Sequence, residues 1–382
     1  MRVAVVAGPD PGHAFPAIAL CLRFLDAGDE PILFTGTRWL EPARNAGLRA
    51  ERLKGLAPRP VDDDLDAGAR IHGRAAHIST ELLPDLEGIA PDLVVSDILT
   101  AGGGLAAERM GIPWVELSPH PLYSASKGLP PIGSGLAPGV GIRGRLRDTM
   151  MRAATGRSIR QGLRQRSDAR ESIGLPRRDP GPRARLIATL PALEVSRPDW
   201  PAEAHVVGPL LWEPTDAVLD PPLGEGPIVM VAPSTAVTGA EGMFEAAVDG
   251  LDGAGARMMA SILDGRPDTD LPDWVTAGLG RQDDMLSRAS VIVCGGGHGM
   301  LAKALLAGVP AVLVPGGGDQ WELANRAERQ GSATIVRPAS ADALREAVLR
   351  VLGDDTFARA AREASRTGVN LADPVTVCRT VV

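Results

Sequence analysis

Short apolar runs rich in β-branched residues recur along the chain, and most lead through a glycine- or proline-marked turn into a segment with helical spacing. Val3 to Ala7 is the first run and predicts a strand. Ile18, Leu20, Leu22 and Leu25 then predict a helix that begins near Phe15-Pro16 and stops at Gly28. Pro31 to Gly36 predicts a second strand, and Glu41 to Ala46 a helix closed by Gly47. Residues 57–70, rich in Pro, Asp and Gly, read as a surface loop. Ile71 to Ile89 reads as a helix interrupted near Pro84. Pro91 to Asp97 and Gly111 to Leu117 predict strands on either side of a helix from Ala101 to Arg109. Pro119 to Val140, dense in Gly, Pro and Ser, predicts a long loop over a cleft. Ile142 to Ser172 predicts a helix and Leu186 to Thr189 a strand.

From Glu194 to Gly226 the composition shifts to Pro and Trp, as in a linker. Ile228 to Ala232 then opens a new set of alternating elements. It is followed by a helix over Glu241 to Leu251, a strand over Arg257 to Ile262 and a strand at Val291 to Val293. The loop Gly295 to Gly299 comes next, then a helix from Met300 to Ala307 stopped by Gly308 and Pro310. Ala311 to Val314 is a strand and Gly316 to Gln320 its loop. The predicted class is α/β: two Rossmann-like doubly wound parallel-sheet domains facing a central cleft. The expected boundaries are 1–205 for the first domain, 206–226 for the linker and 227–365 for the second. Residues 366–382 form a C-terminal segment expected to cross back to the first domain.

A chain of 382 residues suffices for two such domains, and 44% hydrophobic with 23% charged residues is a globular composition. A formal net charge of -7 argues against nucleic acid as a partner. Three cysteines, Cys21, Cys294 and Cys378, have no metal-like spacing. They point to a reducing compartment, and with no apolar run of about 18 residues the expectation is a cytoplasmic protein. The helix after the long loop carries Arg143, Arg145, Arg147, Arg152, Arg157, Arg160, Arg164, Arg166 and Arg170. That series reads as a solvated face, or as a surface attracted to anionic lipid, in peripheral contact with a membrane, or to an anionic acceptor.

The chemistry gathers at the carboxyl ends of the predicted strands. Glycines at 295–297 and 299 let backbone N–H groups approach an anion, and a helix N-terminus adds partial positive charge. A phosphate-bearing ligand is expected there, with a polyhydroxylated group near Asp319 and Gln320. Ser234 and Thr235 end another strand and offer hydroxyls to a phosphate. His13 follows the first strand and is an acid/base candidate. Asp97 ends another strand; if the two strands are neighbours, it orients one ring nitrogen of His13 and leaves the other for a substrate proton. His120 and Tyr123 are expected to line an acceptor pocket, whereas His72 and His77 lack ligand spacing and read as helix-face residues.

Taken in order, these marks resemble the GT-B glycosyltransferases, specifically the family 1 enzymes that glycosylate natural products and other small acceptors. The residues that carry the resemblance are Gly12-His13 with Pro16, Pro91 to Asp97, Gly111-Ile112-Pro113 and Gly208-Pro209-Leu210. Gln282 before Met285-Leu286, the glycine loop with Gly308-Val309-Pro310, and Asp319-Gln320 complete it. The resemblance implies an acceptor-binding first half and a second half that binds a UDP- or dTDP-linked sugar as substrate, with no cofactor and no metal. It implies His13 as base and Asp97 as its partner, acting on a small or lipid-like acceptor with inversion. It assigns donor binding to Ser234, Thr235, Gln282, Gly296, Gly297, His298, Gly299, Asp319 and Gln320, with Gln282 near the nucleobase.

The chain departs from that pattern at five positions. Gly295 stands where the family has a diphosphate-binding histidine, with His298 three residues on as a replacement. Met300 replaces a Ser or Thr, Lys303 an acid that holds the ribose, Ser234 a glycine and Leu323 an asparagine. The alternatives are another GT-B chemistry such as sugar-nucleotide epimerisation or phosphorolysis, a non-catalytic or donor-altered GT-B protein, and an enzyme similar to the lipid-linked N-acetylglucosamine transferase. The last shares Gly-His-x-Phe-Pro, but the acidic chain lacks its glycine run.

Overall fold

The structure, a computed structural model, describes residues 1–62, 65–234, 242–265 and 270–382. Its strands form two sheets. The first contains β1 (Arg2–Val6), β2 (Glu30–Thr35), β3 (Arg49–Arg52), β4 (Leu93–Asp97), β5 (Trp114–Ser118), β6 (Ala184–Ile187) and β7 (Ala204–Val206). The second contains β8 (Ile228–Ala232), β9 (Arg257–Ser261), β10 (Val275–Gly278), β11 (Val291–Cys294), β12 (Ala311–Leu313) and β13 (Ala333–Ile335). Their orders are β3-β2-β1-β4-β5-β6-β7 and β10-β9-β8-β11-β12-β13, and every pairing is parallel.

The described residues form twelve α-helices between and after the strands: α1 (Pro11–Asp26), α2 (Leu40–Asn45), α3 (Ala67–Ile89), α4 (Gly102–Met110), α5 (Gly141–Glu171), α6 (Met243–Leu251), α7 (Gln282–Arg288), α8 (His298–Leu306), α9 (Asp319–Gln330), α10 (Ala341–Gly353), α11 (Asp355–Arg366) and α12 (Pro374–Arg379). Strands covered on both faces are buried along their length and largely apolar, and β4, β5, β8 and β11 are buried at every position. Alternate residues feed opposite cores. Val3 and Val5 meet α1, while Ala4 and Val6 meet α3 and α4. In the second sheet Val229 and Val231 meet α6 and α10, while Met230 meets α8 and α11.

The last helix belongs spatially to the first sheet. Val375, Val377 and Cys378 of α12 lie in the core around α1, and Arg379 donates to Asp29 at 2.9 Å. Leu190 and Leu193, just after β6, insert in the opposite direction, into the core of the second sheet. All three cysteines are buried and free.

Several boundaries differ from the sequence expectation. α1 starts at Pro11, not near Phe15, because a proline at the first helical position gives up only an N–H that has no intrahelical partner. Pro84 does not interrupt α3, whose buried Leu82 and Leu86 hold the helix across it. Val206 ends a seventh strand and is not linker. β3 (Arg-Ala-Glu-Arg) was not expected: it is an edge strand, half wet, without an apolar run. Arg170 is not part of a solvated arginine face. It is 1% exposed, donates to both oxygens of Glu108 at 3.0 and 2.7 Å, and donates to the Pro176 carbonyl. Among the described residues no helix is long and apolar enough to cross a membrane.

Removing one member of a buried ion pair strands the other. Arg170→Ala is therefore expected to destabilise the protein by about 3 kcal/mol in chemical denaturation. Exposed Arg164→Ala on the same helix should change it by less than about 0.5 kcal/mol.

Candidate functional site

Both sheets reverse strand order beside their central strand, at β1/β4 and at β8/β11. Ligands of open α/β sheets bind outside the carboxyl ends at such a reversal. A cavity of about 530 Å³ lies there and takes its lining from both halves. His13, His120 and Leu99 come from the first half; Ser234, Gln282, Gly295, Gly297, His298, Gly299, Lys303, Asp319 and Gln320 from the second.

His13 is in the first turn of α1, and Asp97 is the last residue of β4, the strand paired with β1. His13 Nδ1 lies 2.7 Å from Asp97 Oδ2. The other carboxylate oxygen accepts from the Leu99 N–H at 2.9 Å and from the Thr100 hydroxyl at 3.2 Å. Asp97 is thus buried and fixed from both sides. Burial alone would lower the His13 pKa; the charge and hydrogen bond of Asp97, with help from Asp10 and Asp319, carry it above its ordinary 6.5. Nδ1–H donates to Asp97, which leaves Nε2 as the ring nitrogen not engaged by that carboxylate.

His120 lines the same cavity and donates Nδ1–H to the Pro121 carbonyl at 2.8 Å. Burial lowers its pKa. Tyr123 does not line the cavity. Its ring stacks behind His120 at 4.4 Å, and Arg326 lies 5.7 Å from its centroid. Burial raises the Tyr123 pKa, and its hydroxyl has no hydrogen-bond partner among the described residues.

On the second side α8 begins at His298, two residues before the predicted start, with Gly297 as its N-cap. Gly296 precedes them with φ 76°, a conformation that favours glycine. His298 is not placed as a charged substitute for a histidine at 295. Burial pushes its pKa down to about 3, and its Nε2 lies 2.9 Å from the Thr189 hydroxyl of the first half. Asp319 and Gln320 occupy the first turn of α9, not a loop, after Gly318 breaks the chain direction. Gln320 Oε1 accepts from the Gly316 N–H at 2.9 Å, and its Nε2 donates to Ser234 at 3.0 Å. Thr235 lies outside the described residues.

The departures are packed as a set. A Cβ on Gly295 would stand 3.0 Å from the Ser234 Cβ and 3.6 Å from Gln320 Oε1, so the extra bulk of Ser234 occupies space that Gly295 leaves. Leu323 is fully buried in the core of the second sheet. Lys303 donates to Glu213 at 2.7 Å and to Gln282 Oε1 at 2.9 Å, and Gln282 Nε2 in turn donates to Ser261. Burial lowers the Lys303 pKa against the opposing pull of Glu213.

Three contributors were missed from sequence: Glu213, Thr189 and Glu322. Glu322 accepts from the Gly133 and Gly135 N–H groups at 3.1 and 3.0 Å, so the long loop of the first half is tied to α9. None of them carried a local signal, since each is a single polar residue whose partner is distant in the chain. Among the described residues no group of three or more His, Cys, Asp or Glu is arranged to hold a metal ion.

Comparison with known proteins follows the same outline. Residues 263–382 match the family described as erythromycin biosynthesis protein CIII-like, C-terminal domain. The chain is 30% identical over 358 residues to O-mycaminosyltylonolide 6-deoxyallosyltransferase of Streptomyces fradiae, spanning 88% of this chain and 79% of that protein. It is 29% identical over 393 residues to 4'-demethylrebeccamycin synthase of Lentzea aerocolonigenes, spanning 93% of each. It superposes on the spinosyn rhamnosyltransferase SpnG, solved with thymidine diphosphate, with a TM-score of 0.71 at 20% identity over 100% of this chain and 99% of that one.

If Ser234 fills the space at Gly295, Gly295→Ala should destabilise the protein by about 1–2 kcal/mol through overpacking. Ser234→Gly combined with Gly295→Ala should recover most of that loss. Chemical denaturation reads both, and a double variant no better than the single would count against the packing account.

Proposed function

The chain belongs to the GT-B glycosyltransferases of natural-product pathways, and from that membership we propose that it transfers a sugar from a nucleoside diphosphate to a hydroxyl of a small-molecule acceptor, with inversion and with His13 as general base. The observation that carries this reading is the His13–Asp97 pair at the cavity wall, with Nδ1 held at 2.7 Å and Nε2 on the remaining side of the ring. In the proposed step His13 Nε2 takes the acceptor's hydroxyl proton. The oxygen forms a bond to the anomeric carbon, and the bond from that carbon to the diphosphate breaks. The nucleoside diphosphate leaves with the bonding electron pair. Asp97 stabilises the imidazolium that results.

The second half supplies the donor end. Backbone N–H groups at the start of α8 meet the charge of the leaving diphosphate without reorganisation, which supports a reaction that requires no metal. Asp319 lines the cavity in the first turn of α9 and accepts sugar hydroxyls in this reading. The thymidine diphosphate named with the spinosyn enzyme supports dTDP as a donor nucleotide; UDP is carried equally by this site chemistry. The apolar wall of Phe15, Pro16, Leu99 and Trp212 suits a largely hydrophobic acceptor.

His13→Ala is expected to lower kcat by ~10²–10⁴-fold while leaving nucleotide binding intact. Unchanged turnover would remove His13 from the reaction. The pH profile gives an independent check. Asp97 favours the charged imidazole, so the base is protonated and idle at low pH. In the wild-type enzyme kcat/KM should therefore rise with pH through one ionisation above 6.5. Asp97→Asn should move that ionisation down, and a limb that stays in place would show that another group titrates.

A further inference from the structure

A diphosphate brings negative charge into the cavity, and the histidines there are poorly suited to meet it. His13 is committed to Asp97. His120 is held in its neutral form by burial, and so is His298, which also engages Thr189. Position 295 is a glycine enclosed by Ser234 and Gln320. Among the described lining residues Lys303 is the one lysine or arginine.

Lys303 is on α8, the helix whose N-terminus opens into the cavity. It lies five residues after His298, or ~7.5 Å along the axis. Lys303 and the first residues of α8, His298 and Gly299, line the same cavity, and helical side chains lean toward the N-terminus. An ammonium has three donor directions. One goes to Glu213 Oε1 at 2.7 Å and one to Gln282 Oε1 at 2.9 Å. The third contact, to the Trp212 carbonyl, is 3.5 Å and too long for a strong bond. Glu213 is itself anchored, because its other oxygen accepts from the Gln282 N–H at 3.2 Å. Both side chains are nearly buried, at 9% and 12% exposure, so the carboxylate balances the lysine and fixes its direction. A lysine steadied by a glutamate against nucleotide phosphates is the arrangement protein kinases use on an unrelated fold.

We propose that Lys303 is the cationic contact of the donor's diphosphate and that Glu213, on the segment between the two sheets, is its positioning residue. The inference rests on the reading that a nucleoside diphosphate enters this cavity. It adds that the charge comes from the middle of α8 and from the interdomain segment, not from the glycine loop.

The test is calorimetric titration of dTDP and UDP, and of thymidine and uridine, into wild-type protein and three variants. Lys303→Met should weaken the tighter diphosphate by ~10–100-fold and leave its nucleoside unchanged. Glu213→Gln should weaken the same diphosphate less, because the ammonium remains. Lys303→Met with Glu213→Gln leaves two neutral side chains and should keep the wild-type Tm while still lacking the diphosphate affinity, which separates charge from folding. The inference is overturned if the double variant binds the diphosphate as tightly as wild type, or if nucleoside and diphosphate weaken equally. Wild-type protein that binds neither diphosphate would overturn the donor reading itself, and this inference with it.

Discussion

Parallel pairing of every strand constrains the rest of the molecule. In the first sheet the helix after β1 packs on one face and the helix after β4 on the other. In the second, α6 and α8 diverge in the same way after β8 and β11. Chain segments that leave neighbouring strands toward opposite faces cannot fill the space between them. A crevice at each pair of carboxyl ends is therefore a consequence of topology. Here the two crevices face one another, and their rims supply His13, backed by Asp97, on one side and the starts of α8 and α9 on the other. The halves are kept opposed by contacts that interlock: Leu190 and Leu193 reach into the second core, α12 returns to the first, and Glu322 holds the long loop.

The two rims differ in how they are built. The first is rigid by hydrogen bonding: Asp97 is buried, holds the His13 ring and is itself held by Leu99 and Thr100. The second is built by packing and by charge. Ser234 stands against Gly295, and Gln320 donates to Ser234. A positive charge stands at Lys303, with its balancing carboxylate on Glu213 ninety residues away. Gly295, Ser234 and Gln320 form one packed group, and Lys303, Glu213 and Gln282 another.

Much of the fold was legible from local pattern. Val3 to Ala7, Ile228 to Ala232 and Val291 to Val293 are apolar on both faces, and only a covered parallel strand calls for that. Those strands, together with the turn residues after them, located His13, Asp97, Gly295 and Asp319 at the carboxyl edges of the sheets, where the cavity lies. What was not legible falls into two kinds. Edge strands such as β3 carry little burial and hence little pattern. Helix starts at Pro11 and His298 fell earlier than apolar spacing implied, because Pro-Gly and His-Gly at the head of a helix carry no apolar periodicity to mark it.

By itself, then, the sequence determined two parallel α/β units, with His13 and Asp97 at the strand ends of one and a glycine-rich loop at a strand end of the other, since each of these positions follows from residues close to it in the chain. Tertiary structure alone decided that Tyr123 stands behind His120, that His298 is neutral and bound to Thr189, and that Arg170 is a buried partner of Glu108. It also decided that Lys303 answers to Glu213. Each of those depends on the desolvation of a group and on the distance to a partner 62 or more residues away, or on which side of a ring the chain happens to pass. Burial and distance are properties of the folded path, and no periodicity in the chain records them.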